Sequence, residues 1–127
     1  MPYAFSRTVD FSFGETIKRV TEELNKEGFG VLTSIDVKDT IKKKLNTEFT
    51  RYVILGACNP PLAIAVLTAD MEAGLLLPCN VIVYEKEGKT VVSIFDPMTI
   101  VQIMEKNELL PIAEAVQARL KRVIANL

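Results

Sequence analysis

The chain alternates between stretches in which apolar residues recur every three or four positions and short runs that are apolar throughout. The first pattern predicts amphipathic helices and the second predicts strands. One helix is predicted to begin after Ser12, a capping residue, and to end at Gly28, and a second has Pro111 in its first turn. The apolar positions of these helices are Phe13, Ile17, Val20 and Leu24 in the first, and Leu109, Ile112, Ala113, Val116, Leu120, Val123, Ile124 and Leu127 in the second.

The strand-like segments predict the fold class. The last two flank a turn that contains Gly88, which is typical of an antiparallel hairpin. Together with the helices they predict an α+β fold, with a mostly antiparallel sheet and helices on one face. The other face then needs a cover, and we expect a second copy of the chain to supply it. The predicted strands are residues 3–9, 31–35, 51–57, 81–84 and 90–95.

Shorter helices are predicted between these strands. Asp36 is suited to cap a helix over residues 37–45, and Asn59 is suited to cap a helix that starts with two prolines. The body of this second helix, residues 62–67, is apolar on nearly all sides, so it is predicted to be buried. Residues 97–104 can form one further helical turn.

Length and charge narrow the class of protein. A chain of 127 residues predicts a single domain over 1–127. Its 15 basic and 16 acidic residues leave a net charge of −1, which argues against a nucleic-acid partner. No apolar run reaches the roughly twenty residues that cross a bilayer, so no membrane association is expected. Two cysteines without an export signal predict a cytoplasmic protein with free thiols.

The candidate chemistry lies at the two cysteines, each of which is followed by an asparagine. If the strand that ends at Ala57 pairs antiparallel with the strand that begins near Asn80, both Cys-Asn units meet at one edge of the sheet. The candidate ligand-binding residues are therefore Cys58, Asn59, Cys79 and Asn80. The catalytic residues, if there are any, stay unknown.

The sequence allows two interpretations of Cys58. It comes one residue before a predicted helix start, and helix N-termini favour thiolates, which suits a nucleophilic or redox thiol. Pro60 and Pro61 lack amide hydrogens and weaken that effect, and free cysteines are also among the most buried residues. The chain has no histidine, so nucleophile–histidine pairs are excluded and a catalytic role is disfavoured. Two cysteines are too few for a structural zinc site, and we predict neither metal nor cofactor.

Three long segments resemble the family known as domain of unknown function 302: residues 28–38, 54–63 and 74–81, together with Tyr52 and the Asp96-Pro97 pair. The resemblance covers nearly the whole chain and implies a β-α-β-β-β-β-α core similar to the TATA-binding-protein-like superfold, and a homodimer. It implies no activity. The chain departs from the family at Ile64, a position that is often polar in relatives and frequently histidine.

Three functional hypotheses follow. The first is a homodimeric protein that binds a small ligand or metal at the paired Cys-Asn pocket. The second is a thiol-based enzyme or redox protein that uses Cys58. The third is a purely structural or interaction module in which both cysteines are buried.

Overall fold

The computed structural model describes residues 3–127, which form five strands, five α-helices and two short 3-10 helices. In chain order these are β1 Ala4–Val9, α1 Phe13–Lys26, β2 Gly30–Asp36, α2 Val37–Leu45, β3 Tyr52–Cys58, α3 Pro60–Ala69, a 3-10 helix Met71–Leu76, β4 Cys79–Lys86, β5 Lys89–Phe95, α4 Met98–Met104, a 3-10 helix Asn107–Leu109 and α5 Leu110–Ala125.

The strands form one sheet in the order β1-β5-β4-β3-β2, and every neighbouring pair is antiparallel. Helices pack on one face of the sheet, which confirms the α+β prediction. The element order contains the expected β-α-β-β-β-β-α core, with α2, α3 and α4 added to it. The likeness of this core to the TATA-binding-protein-like superfold stays a prediction.

Single residues set the ends of the predicted helices. The Ser12 hydroxyl accepts a hydrogen bond from the Glu15 amide at 3.2 Å, and the Asp36 carboxylate accepts one from the Asp39 amide at 2.9 Å. Gly28 has a φ of 83°, the left-handed conformation that commonly follows a helix. These local signals confirm where α1 and α2 begin and where α1 ends.

The hairpin turn is tighter than predicted. β4 continues to Lys86 and β5 begins at Lys89, so only Glu87 and Gly88 connect them. Both residues have positive φ, 53° and 77°, which matches the right-handed twist of the paired strands. The polar residues on either side of Gly88 therefore extend the strands.

The core lies between the helices and one face of the sheet. On that face Val81, Val83, Val92 and Ile94 are fully buried, and α1 and α5 cover them. Every second residue of β4 and β5 points to this side, as a pleated strand requires. The fully buried helical side chains that complete the core include Val20, Leu24, Ala113 and Val123.

The prediction that the body of α3 is buried on all sides is wrong. Leu62 and Val66 are buried, but Ile64 is 66% exposed. The helix packs on α5 and on the 3-10 helix that follows it, so only one side of α3 has neighbours. Because α3 is apolar on all sides, its sequence does not indicate which side is buried.

Candidate functional site

The site is built where β3 gives way to α3. Cys58 is the last residue of the strand, and Asn59 caps the helix. The Asn59 side-chain oxygen accepts a hydrogen bond from the Leu62 amide at 3.1 Å, while its carbonyl accepts one from Ala63 at 3.0 Å. Asn59 therefore fixes the direction in which α3 leaves the sheet.

The pairing of β3 with β4 brings the second cysteine to the same place. Ala57 lies directly opposite Cys79, so Cys58 is one position away along its strand. Strand spacing places the two cysteine Cα atoms within roughly 6 Å of each other. The predicted meeting of the two strand ends is confirmed, and both cysteines are free thiols.

A pocket of about 260 Å³ lies at this meeting point, and both cysteines line it. Its wall is almost entirely apolar. Thr33 and Asn59 are the only other polar residues in the wall, and the Asn59 oxygen is occupied by its capping hydrogen bond. The apolar lining consists of Leu32, Ala57, Leu62, Ala63, Leu77 and Pro78.

The two thiols differ in their environment. Cys79 is 5% exposed and belongs to the core, whereas Cys58 is half-buried. The pKa of the Cys79 thiol is raised to about 11. Burial is the larger cause, and the neighbouring Cys58 acts in the same direction. Cys79 is consequently a neutral thiol at physiological pH. The Cys79 thiol can donate a weak hydrogen bond or make a van der Waals contact through its polarisable sulfur, but it is a poor nucleophile.

The outer wall of the pocket depends on a glycine and on an irregularity in β2. A side chain at Gly56 would collide with the Thr33 hydroxyl and lie 2.9 Å from the Pro78 ring, so only glycine lets these residues close over the strand. The register of β2 shifts between Val31 and Thr33, which makes Leu32 an extra residue at a β-bulge. The bulge directs both Leu32 and Thr33 toward the pocket.

Asn80 is separate from the other three predicted site residues. It lies opposite Gly56, its side chain is exposed, and it lines a different depression with Leu75, Phe95 and Ile103. Successive residues of a strand point to opposite faces, so Asn80 cannot share the side of its neighbour Cys79. By the same alternation Cys58 points away from Ala57 and Cys79, but it is the last residue of β3 and lines the pocket at the end of the strand. The pocket thus brings together Cys58, Asn59 and Cys79.

Seven of the ten lining residues were not among the sequence candidates. Three of them, Ala57, Leu77 and Pro78, adjoin the two cysteines in the sequence. Leu62 and Ala63 had a detectable signal, since they occupy the first turn of the helix that Asn59 caps. Leu32 and Thr33 had none, because a bulge in an edge strand leaves no mark on the hydrophobic pattern. Leu32 and Thr33 can therefore be recognised as lining residues only in the tertiary structure.

The site offers sulfur as its only ionisable ligand type. Among residues 3–127, no group of three or more histidine, cysteine, aspartate or glutamate side chains is placed to hold a metal ion. Hard cations such as Mg²⁺ and Ca²⁺ need several oxygen ligands, which this pocket does not supply. Two thiolates instead favour soft cations.

The fold and site define a small α+β protein with a thiol-lined apolar pocket. The model of the family described as "Domain of unknown function DUF302" matches residues 5–127, and the chain belongs to this family. It is similar to the crystal structure of an uncharacterized conserved DUF302 protein from Bacillus stearothermophilus, with 33% sequence identity, 98% coverage of each chain and a TM-score of 0.89. No curated protein matches the chain. Within the part of the chain described, no helix is both long and apolar enough to span a bilayer.

Proposed function

We propose that this protein is a homodimer that binds a small, mainly apolar ligand in the pocket lined by Cys58, Asn59 and Cys79. The observation that carries the proposal is the pocket itself, an apolar recess with two thiols at the end of a sheet. Binding sites of this kind combine apolar walls with a few polar groups that orient the ligand. The free state of both thiols also agrees with the predicted cytoplasmic location.

The size of the pocket limits the ligand. Small-molecule sites occupy about 300–1,000 Å³, and this pocket, at about 260 Å³, is slightly smaller than that range. A dinucleotide or another large charged cofactor would therefore not fit. The suitable ligand is a compact apolar molecule with at most one polarisable or hydrogen-bonding group near the thiols.

Indole is a suitable probe because the chain contains no tryptophan, so excitation near 295 nm reports the probe alone. Ala63 lines the pocket on α3, whereas Ala118 is exposed on α5. We expect saturable indole binding to the parent and to Ala118→Leu, and at least a tenfold weaker affinity for Ala63→Leu because leucine fills the pocket. Equal affinities for the two variants would overturn the proposal.

The thiol-based alternative is favoured by one observation, the partial exposure of Cys58. It differs from reversible binding in a measurable way. Mass spectrometry after incubation with chloroacetamide at neutral pH would show rapid modification at Cys58, faster than in the urea-unfolded chain, if this thiol were activated. We expect slower modification than in the unfolded chain, and retained indole binding by Cys58→Ser.

A metal ligand would have to be a soft cation, with Cu(I) foremost, because thiolate sulfurs select it. Under anaerobic conditions Cu(I) would then stabilise the parent and have little effect on Cys58→Ser and Cys79→Ser. Mg²⁺ and Ca²⁺ should stabilise none of these proteins. If Cu(I) acts equally on all three, the thiol pair is not the metal site.

A further inference from the structure

On the face of the sheet opposite the helices, a row of isoleucines crosses three of the five strands. Ile35 on β2 lies opposite Ile54 on β3, and Ile54 lies opposite Ile82 on β4. The row then continues through Ser93 on β5 to Ser6 on β1, whose hydroxyls are 2.7 Å apart. Ile35 remains 49% exposed.

Aromatic side chains extend this surface beside the isoleucine row. The rings of Tyr52 and Tyr84 are stacked with centroids 5.4 Å apart, and Phe49 lies 6.2 Å from Tyr52. Val91 and Thr8 complete this second row on β5 and β1. Phe49 is 43% exposed, so the cluster is open to solvent on one side.

No charged residue occurs at the described strand positions of these two rows. The first charge on this face is Lys86, next to the hairpin turn. Antiparallel sheets that face water normally present polar residues there, and monomeric proteins rarely expose apolar patches larger than a few hundred Å². The outer face of β3 and β4 therefore has the composition of a buried surface, whereas β1 and β5 add the uncharged polar residues Ser6, Thr8 and Ser93.

The dimensions of the outer face suit one half of a small protein–protein interface, near the lower limit of about 500 Å² on each partner for a specific contact. Five strands about 4.8 Å apart, each about 20 Å long, cover roughly 500 Å² in projection, and side-chain relief enlarges the accessible area. A standard interface buries about 800 Å² on each partner. Phe49 beyond the second row adds to the area available.

A second copy of the chain is the occupant that this chemistry favours. A neutral surface has no charges to attract a charged partner and none to repel its own copy, and flat apolar sheets pack against each other at about 10 Å. We propose that two copies pack face to face through this outer face, with Ile35, Ile54 and Ile82 at the centre. The inference rests on the proposed homodimer and assigns its interface.

Ile82→Glu tests the assignment, because a twofold axis places the two introduced carboxylates near each other in an apolar centre. We expect its dimer dissociation constant, measured by sedimentation equilibrium, to rise at least a hundredfold, with the circular dichroism spectrum retained. Leu75→Glu is the matched control, since Leu75 is an apolar residue 83% exposed outside the two rows. It should dimerise like the parent.

The outcomes distinguish a failure of the assigned interface from a failure of the homodimer proposal. A parent that sediments as a monomer at millimolar concentration overturns both. A parent dimer that Ile82→Glu leaves intact and Leu75→Glu dissociates overturns the assigned face and keeps the homodimer. If Ile82→Glu fails to fold, Ile82→Thr replaces it, since threonine keeps a β-branched strand residue. We expect at least a tenfold weaker dimer from it, and an unchanged constant overturns the assignment.

Discussion

The two faces of the sheet have similar residues and different surroundings. In β4 the sequence Val81-Ile82-Val83-Tyr84 is apolar at every position, yet Val81 and Val83 are fully buried while Ile82 and Tyr84 are half-buried. The helices explain the difference, because α1 and α5 cover only the inner face. Strands that are apolar on both sides are typical of sheets covered on both sides. The outer side of β4 therefore has a sequence suited to a covered surface.

Alanine substitutions on the two faces should produce the largest contrast. Ile94→Ala removes a fully buried side chain of the inner face and should cost about 2–5 kcal/mol of unfolding free energy. This loss should not depend on protein concentration. Ile54→Ala on the outer face should cost less in dilute solution and more as concentration rises, because the proposed dimer adds stability by mass action. Urea unfolding at micromolar and at submillimolar protein measures both.

Equal, concentration-independent losses for the two variants would contradict a difference between the faces. A matched check is Ile103→Ala, which truncates an exposed isoleucine on α4 outside the sheet. Surface substitutions of this kind change stability by no more than about 0.5 kcal/mol.

Local residues made most of the fold predictable. Asp36 and Asn59 are caps whose side chains bind the amides that helix starts leave free, so α2 and α3 begin where the sequence indicated. The hairpin between β4 and β5 required only a permissive glycine between apolar runs. The 3-10 helix Met71–Leu76 was not predicted, because it is shorter than a hydrophobic period can reveal.

The candidate site was predictable only in part. Strand pairing predicts Cys58 beside Cys79, but the alternation of side chains along a strand places Asn80 on the face opposite Cys79. Asn59 escapes this rule because β3 ends at Cys58 and α3 begins directly afterwards. Leu32 and Thr33 come from a bulge, whose position depends on contacts with Gly56 and Pro78 across the sheet.

Cys79 belongs to the inner face of the sheet, so the pH dependence of stability reports how strongly that face is buried. The pKa of Cys79 is about 11 in the folded chain, against an ordinary value of 9.0. Between these values the unfolded chain loses the thiol proton while the folded chain keeps it, so stability falls as pH rises from about 9 to about 11. The loss attributable to Cys79 is at most about 3 kcal/mol.

The measurement is urea unfolding of the parent and of Cys79→Ala at pH 8, 9, 10 and 11. The parent should lose more stability than the variant over this range, with most of the difference arising between pH 9 and pH 11. Cys58→Ala is the control, and it should retain most of the pH dependence because burial of Cys79 is the larger cause of the raised pKa. Parallel curves for the parent and Cys79→Ala would show that burial does not control this thiol.

The two asparagines of the Cys-Asn units give the smallest contrast. Asn59 caps α3 on the covered side of the sheet, while Asn80 is exposed on the outer side. Asn59→Ala should cost about 1 kcal/mol, because the Leu62 amide loses its acceptor, and Asn59→Ser should recover most of that loss. Asn80→Ala should change the unfolding free energy by less than about 0.5 kcal/mol. Thermal or urea unfolding measures the free energy of unfolding of each variant. A larger loss for Asn80→Ala than for Asn59→Ala would contradict the prediction, because it would mean that the exposed Asn80 amide stabilises the fold more than the helix cap does.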